Sequence, residues 1–600
     1  MSPLHNKPFT RVLWVMSLLL TLSGCGGSSS SDSTQVPATP RTSQTEPPAQ
    51  VFATVSASQA KVLSFSWNEV NADHYKLLKN PDGLSGFTQV GANIRTTSVD
   101  EPISVYLQDW DKASYIVQAC SSSGACSDSD AISAKNAMLG AIGYFKGSSD
   151  LGAANEQGSS VALSAEGDTL AVGSGSIVYV YHLIGGDWHQ QAELKGSNTD
   201  VGDYFGQSIA LSSDGNTLAV SAEQDDSKTT GINNGGQDDD SVEDAGAVYL
   251  FTRTGTIWSQ QAYIKASNTG RGDFFGYSVA LSADGNTLAV GAYGEDSKTT
   301  GINNGAQDDD SVEDAGAVYL FTRTGTIWSQ QAYIKASNTG GGDFFGQGVA
   351  LSADGNTLAV GAPNEASKTT GINNGAQEDN SEQYAGAAYL FTRTGTTWSQ
   401  QAYIKASNTG GGDFFGWSVA LSADGGTLAV SAAYEDSKTT GINNGAQDDN
   451  SEQYAGAAYL FTRTGTTWSQ QAYIKASNTG GGDYFGYSVA LSADGGTLVV
   501  SAPNEASRTK GINNGDQDDD SVAGAGAVYL FTRTDTTWSQ QAYIKASNTD
   551  LGDTFGVSVA LSKGSGTLAV GAPNEASKTM GINGDQEDNS EQYAGAAYLY

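Results

Sequence analysis

The residues of this chain best suited to chemistry are oxygen ligands. Six stretches begin Gly-Ile-Asn and continue with closely spaced Asn, Gly, Gln and Asp. One is Gly301-Ile302-Asn303-Asn304-Gly305, followed by Gln307-Asp308-Asp309-Asp310-Ser311, and its counterparts start at 231, 371, 441, 511 and 581. Asn and Asp at this spacing, with Gly permitting a sharp turn, suit a hard cation such as Ca²⁺, which takes about 6–8 oxygens. The candidate ligands are Asn234 and Asp239, Asn304 and Asp309, Asn374 and Asp379, Asn444 and Asp449, Asn514 and Asp519, and Asn583 and Asp588. Calcium is therefore the expected cofactor, and a solvated acidic loop giving solubility is the alternative reading. Catalytic sets are harder to find. The His residues are His5, His74, His182 and His189, none of them in a repeated loop. No Ser/His/Asp spacing, Cys-x-x-Cys or glycine-rich phosphate loop occurs. Paired carboxylates alone leave glycoside chemistry open, but a non-enzymatic protein is expected.

A near-verbatim repeat must position these loops. The phrase Phe205-Gly206-Gln207-Ser208-Ile209-Ala210-Leu211-Ser212 returns at Phe275, Phe345, Phe415, Phe485 and Phe555, each 70 residues on. Each unit holds four short runs rich in Val, Ala, Leu, Tyr and Phe, bounded by Gly, Asp, Asn and Thr, which read as strands. Asp354-Gly355 between the first two runs has tight-hairpin chemistry. Four strands per unit point to a β-propeller, typically of about 4–8 blades; a β-solenoid has shorter repeats. A worn copy, Gln157-Gly158 to Ala192, makes seven starts. The seventh copy stops at Tyr600 within its third strand, while Ala141-Ile142-Gly143-Tyr144-Phe145-Lys146 matches the missing fourth. The expectation is an all-β chain with a seven-bladed propeller over 137–600, closed by a strand at 137–147. Closure removes open sheet edges.

The remaining 136 residues and the overall charge set the context. With 65 acidic against 30 basic residues the formal charge is −35, so repulsion from phosphate argues against a nucleic-acid partner. Residues 1–24 combine a cationic start (Lys7, Arg11) with an apolar run from Val12 to Leu22, too short to span a bilayer, and read as a signal peptide. Leu22-Ser23-Gly24-Cys25 resembles the lipobox of bacterial lipoproteins, which implies lipidation at Cys25 and a membrane anchor. Gly26 after the Cys favours the outer membrane, facing periplasm or exterior. Residues 25–50, mostly Ser, Thr, Pro, Gly and Gln, form a tether. Residues 51–135 alternate short strands, with an early Trp67 and a late Tyr115, as a small β-sandwich does. This stretch resembles a fibronectin type III domain. Cys120 and Cys126 are the free pair, and an oxidising compartment favours a disulfide between them.

Phe345-Gly346 with Gly361-Ala362-Pro363, and Phe555-Gly556 with Gly571-Ala572-Pro573, resemble the FG-GAP repeat of the integrin α-subunit propeller. The resemblance covers roughly residues 140–600 and implies a seven-bladed recognition module that often bears calcium. The family's calcium loop lies between the first two strands, where this chain keeps only Ser-x-Asp-Gly (Asp284, Asp354, Asp424), so that site is not carried over. Arg271-Gly272-Asp273 spells the tripeptide some integrins bind, but its counterparts are Gly-Gly-Asp, and a chance Gly-to-Arg change is the economical reading. The expected function is a lipid-anchored envelope protein for adhesion or recognition of a protein or glycan. A structural scaffold is second and a carbohydrate-active enzyme third. Because strand direction alternates, the long loops share one face, and ligand binding is expected there, beside Tyr384, Tyr454 and the Asn/Asp loops.

Overall fold

The computed structural model describes residues 46–148 and 156–600, apart from 236, 238, 305, 306, 375, 376, 446 and 565. The signal segment, Cys25 and nearly all of the tether lie outside the described residues.

In blades 1 to 6 each repeat folds as one antiparallel four-stranded sheet whose consecutive strands are neighbours. Blade 4 shows the pattern: Val349–Leu351, Thr357–Ala362, Ala387–Thr394 and Thr397–Ile404. The second strand, Thr-Leu-Ala-Val-Gly-Ala, is apolar or small throughout and buried along its whole length. A short continuous apolar run is the signature of a strand covered on both faces. The third strand buries Ala387 to Phe391 and then turns polar as it reaches solvent.

Packing between blades explains the Phe-Gly pair. Phe415 is buried in a cluster built from blade 4 (Leu390, Ile404) and blade 5 (Val430, Tyr459, Phe461). Gly416 has φ +101, open to glycine at little steric cost. A Cβ on Gly361 of blade 4 would come within 1.9 Å of the Gly416 carbonyl oxygen. The first strands touch one another in sequence around a full circle, blade 7 against blade 1, so seven blades close a ring. On the short-turn face, backbone bonds run from turn to turn: Ser213 N to Ala283 O, Ala283 N to Ala353 O and Ala353 N to Ala423 O, each 2.9 Å.

Blade 7 combines both chain ends. Its strands are Val559–Leu561, Leu568–Ala572, Ala596–Leu599 and then Gly143–Lys146, with Gly581–Ile582 beyond. The closing strand is shorter than the 137–147 read from sequence. Lys135–Ala141 is a helix instead, since Ala, Met and Leu favour helix and the segment has no β-branched residue.

Residues 51–134 form two facing sheets, one containing Ala53–Gln59, Val62–Trp67 and Ser98–Pro102, the other His74–Asn80 and Ser114–Cys120 at its centre. Phe65 meets Tyr115 between them at 4.7 Å, and Trp67 meets Tyr75 at 5.3 Å. Cys120 and Cys126 are joined by a disulfide across the last hairpin. The sandwich docks on blades 6 and 7: its core is continuous with Ile512 and Tyr598, and Lys61 N donates to Ala141 O at 2.7 Å.

Candidate functional site

The loop face is built on a buried ionic knot repeated in blades 2 to 7. Lys265 pairs with Asp225, Lys335 with Glu295, Lys405 with Glu365, Lys475 with Glu435, Lys545 with Glu505 and Lys146 with Glu575, at 2.6–2.9 Å and almost without exposure. The acid stands where the second strand enters the long loop; the lysine ends the outer strand. Glu365 also accepts from Asn338 Nδ2 (3.0 Å) and from Ser367 N (3.2 Å). Asn338 comes from the connection leading out of blade 3, and its Oδ1 accepts from Tyr389 Oη at 2.8 Å. A buried pair repays desolvation only with such added hydrogen bonds. Burial holds the Lys405 ammonium below its ordinary pKa, the Glu365 carboxylate opposing. The repeated Lys-Ala-Ser-Asn-Thr is thus the joint that fixes both long connections of a blade.

The predicted cation ligands have other tasks. Ile302 pairs with Ile334, the last residue of the outermost strand, so the acidic loop runs beside the blade's edge and covers part of it. Asn304 Nδ2 donates to Thr300 O at 2.9 Å; Asn374, Asn444 and Asn514 repeat this at 2.9–3.0 Å, and Asn234 does the same with Thr230 O. Asp309 is held by Lys298 (2.6 Å), Asp239 by Lys228 (2.5 Å), Asp379 by Lys368 (3.4 Å), Asp449 by Lys438 (3.2 Å) and Asp519 by Arg508 (2.9 Å). The loop of blade 7 is one residue shorter. Asn583 there accepts from Tyr144 N at 3.0 Å, the role Asn303 has toward Tyr333 N, and is not the counterpart of Asn304. Asp588 accepts from Lys578 N through its backbone carbonyl. Amide nitrogens face carbonyls and ammonium groups already hold the carboxylates. No group of three or more His, Cys, Asp or Glu that could hold a metal ion occurs among the described residues.

Aromatic side chains gather nearer the axis. The residue before each Phe-Gly is Tyr204, Phe274, Phe344, Phe414, Tyr484 or Thr554, each at φ between +51 and +58. Non-glycine residues held there cost of order 1–3 kcal/mol and cluster at ligand clamps. Here backbone bonds hold them: Phe414 N donates to Tyr384 O at 2.9 Å and Tyr484 N to Tyr454 O at 3.0 Å. Tyr384 stacks on Phe414 (5.4 Å, 15°) and Tyr454 on Tyr484 (5.9 Å, 12°). Tyr434 sits between them, touching Phe414, Trp417, Tyr454 and Tyr484 at 4.8–5.5 Å, and Trp417 reaches Tyr487 at 5.8 Å. A second group joins Phe274, Tyr277, Tyr293 and Phe344 at 4.6–5.0 Å. Tyr384 and Tyr454 keep 47% and 44% of their surface exposed. A hollow of about 260 Å³ opens beside Tyr434, Tyr484 and Tyr487, against Pro503 and Thr554.

Sequence reasoning named Tyr384 and Tyr454 but missed the rest, although a signal existed. The repeats are almost identical, yet the residue after Phe-Gly is Gln207, Tyr277, Gln347, Trp417, Tyr487 and Val557 in turn. The end of the second strand also changes, from Tyr293-Gly294 to Pro363-Asn364 to Ala433-Tyr434. The chain varies most where these rings collect. In contrast, Arg271-Gly272-Asp273 is not displayed as a motif: Asp273 is buried, accepting from Gly270 N at 2.7 Å, and Arg271 pairs with Glu243.

The same turns hold buried carboxylates. Burial pushes Asp273 and Asp413 up to about 8, and Asp343, Asp483 and Asp553 up to about 7, from an ordinary value of 3.8. The folded chain therefore keeps protons that the unfolded chain releases above about pH 4, and stability falls as pH rises through 7–8. Thermal unfolding should occur at a higher temperature at pH 5.5 than at pH 8.5, and Asp273→Asn should flatten this slope. A midpoint that rises with pH over this window would contradict the placement.

The FG-GAP repeat family matches residues 188–251, 258–321, 328–391, 398–461, 468–531 and 538–600. Each matched segment starts at the outer-strand Trp of one blade, or its neighbourhood, and runs through the third strand of the next. No curated protein matches the chain. Similar solved structures include the β-propeller domain of Cps50 (Swd1) from Myceliophteria thermophila, with 11% identity, a TM-score of 0.41, and 74% of this chain and 95% of that one covered. Hydrazine synthase of Kuenenia stuttgartiensis shows 12% identity and a TM-score of 0.41, with 70% and 94% covered. Scores this low carry no inference about function. Six consecutive matches over more than half of its length show that this chain belongs to the FG-GAP repeat family.

Proposed function

We propose that the protein is a lipid-anchored binding module of the bacterial envelope, recognising a protein or glycan through the aromatic arc of its loop face without turning it over. One observation carries this reading: near-identical repeats differ most where Trp417, Tyr434, Tyr484 and Tyr487 gather on one face. Exposed aromatic patches mark interaction sites, and loops on a rigid scaffold are where binding residues sit. The ionic knots supply that rigidity. The apolar run before Cys25 and the tether after it support the anchor and the outer-membrane location. The two-sheet domain, with its resemblance to fibronectin type III, would act as a spacer between tether and propeller.

Glycan and protein arrays probed with the protein test the reading. Tyr384→Ala with Tyr454→Ala should weaken binding to any array ligand by about tenfold or more, as loss of aromatic hot spots does. Asp354→Ala with Asp424→Ala, on the short-turn face, should leave it unchanged. The reverse pattern would move the site to the other face.

A further inference from the structure

The arginine cover that the outer-strand tryptophans carry is missing where blade 7 meets blade 1. In blades 2 to 6 an arginine lies over the outer-strand tryptophan: Arg253 over Trp258, Arg323 over Trp328, Arg393 over Trp398, Arg463 over Trp468 and Arg533 over Trp538, at 5.4–5.7 Å. In blades 2 to 5 the indole N–H also donates to a glutamine of the preceding blade, as Trp398 does to Gln331 at 2.9 Å. Blade 1 has Trp188, but Leu183 stands in the arginine position. The preceding outer strand is the short Gly143–Lys146, which places Ile142 where the glutamine would be. Trp188 instead packs its ring edge-on against Phe145 at 5.4 Å.

The sandwich lies across this gap without filling it. A cavity of about 520 Å³ remains between the domains, lined by Lys61, Asp100, Ser104, Glu166, Trp188 and Thr567 among others. Its size falls within the ~300–1,000 Å³ of small-molecule sites, which favour domain interfaces. Lys61, at φ +63 on a hairpin tip, reaches in and donates to Gly566 O at 2.6 Å and to Thr567 Oγ1. Lys61 is half-buried, it pairs with no carboxylate among the described residues, and burial lowers its ammonium to about 8. Asp100 and Glu166 are exposed at the mouth.

We propose that this cleft is a second ligand site, taking a neutral pyranose saccharide with one ring against Trp188 and its hydroxyls shared among Asp100, Glu166 and Lys61. The chemistry selects that class. An indole face is electron-rich and accepts the C–H face of a flat, amphipathic ring. Carboxylates accept from hydroxyls and the ammonium donates to them, which suits groups that do both. A polyanion would meet two carboxylates, and a purely apolar ligand would offer no hydrogen bond to Lys61 or to either carboxylate.

Tryptophan-fluorescence titration of the protein with cellobiose, chitobiose and maltose tests this. At least one disaccharide should give a saturable change, weakened about tenfold by Glu166→Gln, the loss of one charge-assisted hydrogen bond. Leu183→Arg should abolish it, because it restores over Trp188 the cover that five other blades carry and so uses a side-chain arrangement the fold already tolerates. Tyr384→Ala with Tyr454→Ala should leave it intact, separating this site from the loop face. No saturable change with any of the three sugars would overturn the proposal. A change that Leu183→Arg and Glu166→Gln leave unaltered would overturn it equally.

Discussion

Glu365→Ala should destabilise the propeller by about 3–5 kcal/mol, the range found when one partner of a buried ion pair is removed. The cause is what stays behind. Lys405 would remain buried with its ammonium unpaired, Asn338 Nδ2 would lose one of its acceptors, and Ser367 N would lose another. Glu365→Gln should be milder, since an amide oxygen still accepts from Lys405. Replacing the pair together, Glu365→Leu with Lys405→Met, should recover much of the loss, because an apolar pair of similar volume leaves no orphaned charge. Denaturant unfolding of the four proteins checks this. Glu365→Ala within about 1 kcal/mol of the parent, as for an exposed salt bridge, would show that the knot is not desolvated. By contrast, Asp379→Ala should fall within that small range, since its partner Lys368 is largely exposed.

Removal of residues 137–147 should open the ring. Blade 7 would keep three strands, and the edge of Ala596–Leu599 would lose its partner. Tyr144 and Phe145 are fully buried, Phe145 against Tyr181 at 5.1 Å and Tyr144 against Tyr598 at 5.5 Å. Truncating one buried aromatic costs about 3–5 kcal/mol, and Glu575 would lose Lys146 as well. Together these exceed much of the ~5–15 kcal/mol that holds a typical domain. An exposed, unpaired strand is also a template for aggregation. The expected result is an oligomeric or insoluble chain with fast hydrogen exchange in 568–572 and 596–599. A monomer melting with the parent would contradict closure by this strand.

The architecture was legible because each repeat states it locally. Thr357 to Ala362 is apolar enough to be a doubly covered strand, and Asp354-Gly355 marks the turn before it. The Cys120–Cys126 bridge was legible because these are the two cysteines other than Cys25. The ionic knot was not legible, since Glu365 and Lys405 lie 40 residues apart. Glu365 also opens a polar loop in which Glu378 and Asp379 look equally suited to chemistry. The Asn304 and Asp309 pattern is ambiguous for a related reason: a repeated motif is repeated whether it binds an ion or closes a turn. What distinguishes function from scaffold here is departure from the repeat. Trp417 replacing Gln347 and Tyr434 replacing Asn364 mark one face, and Leu183 in the arginine position marks the gap at blade 1. Neither could be ranked before the fold showed which positions share a surface.

The most direct test of recognition by the loop face is hydroxyl-radical footprinting of the protein with and without its strongest array ligand. Protection is predicted at Tyr384, Trp417, Tyr434, Tyr454 and Tyr484, with none in the turns around Asp354, Asp424 and Asp494. Protection confined to those turns, with the tyrosines and Trp417 modified at the rate of the free protein, would contradict the account.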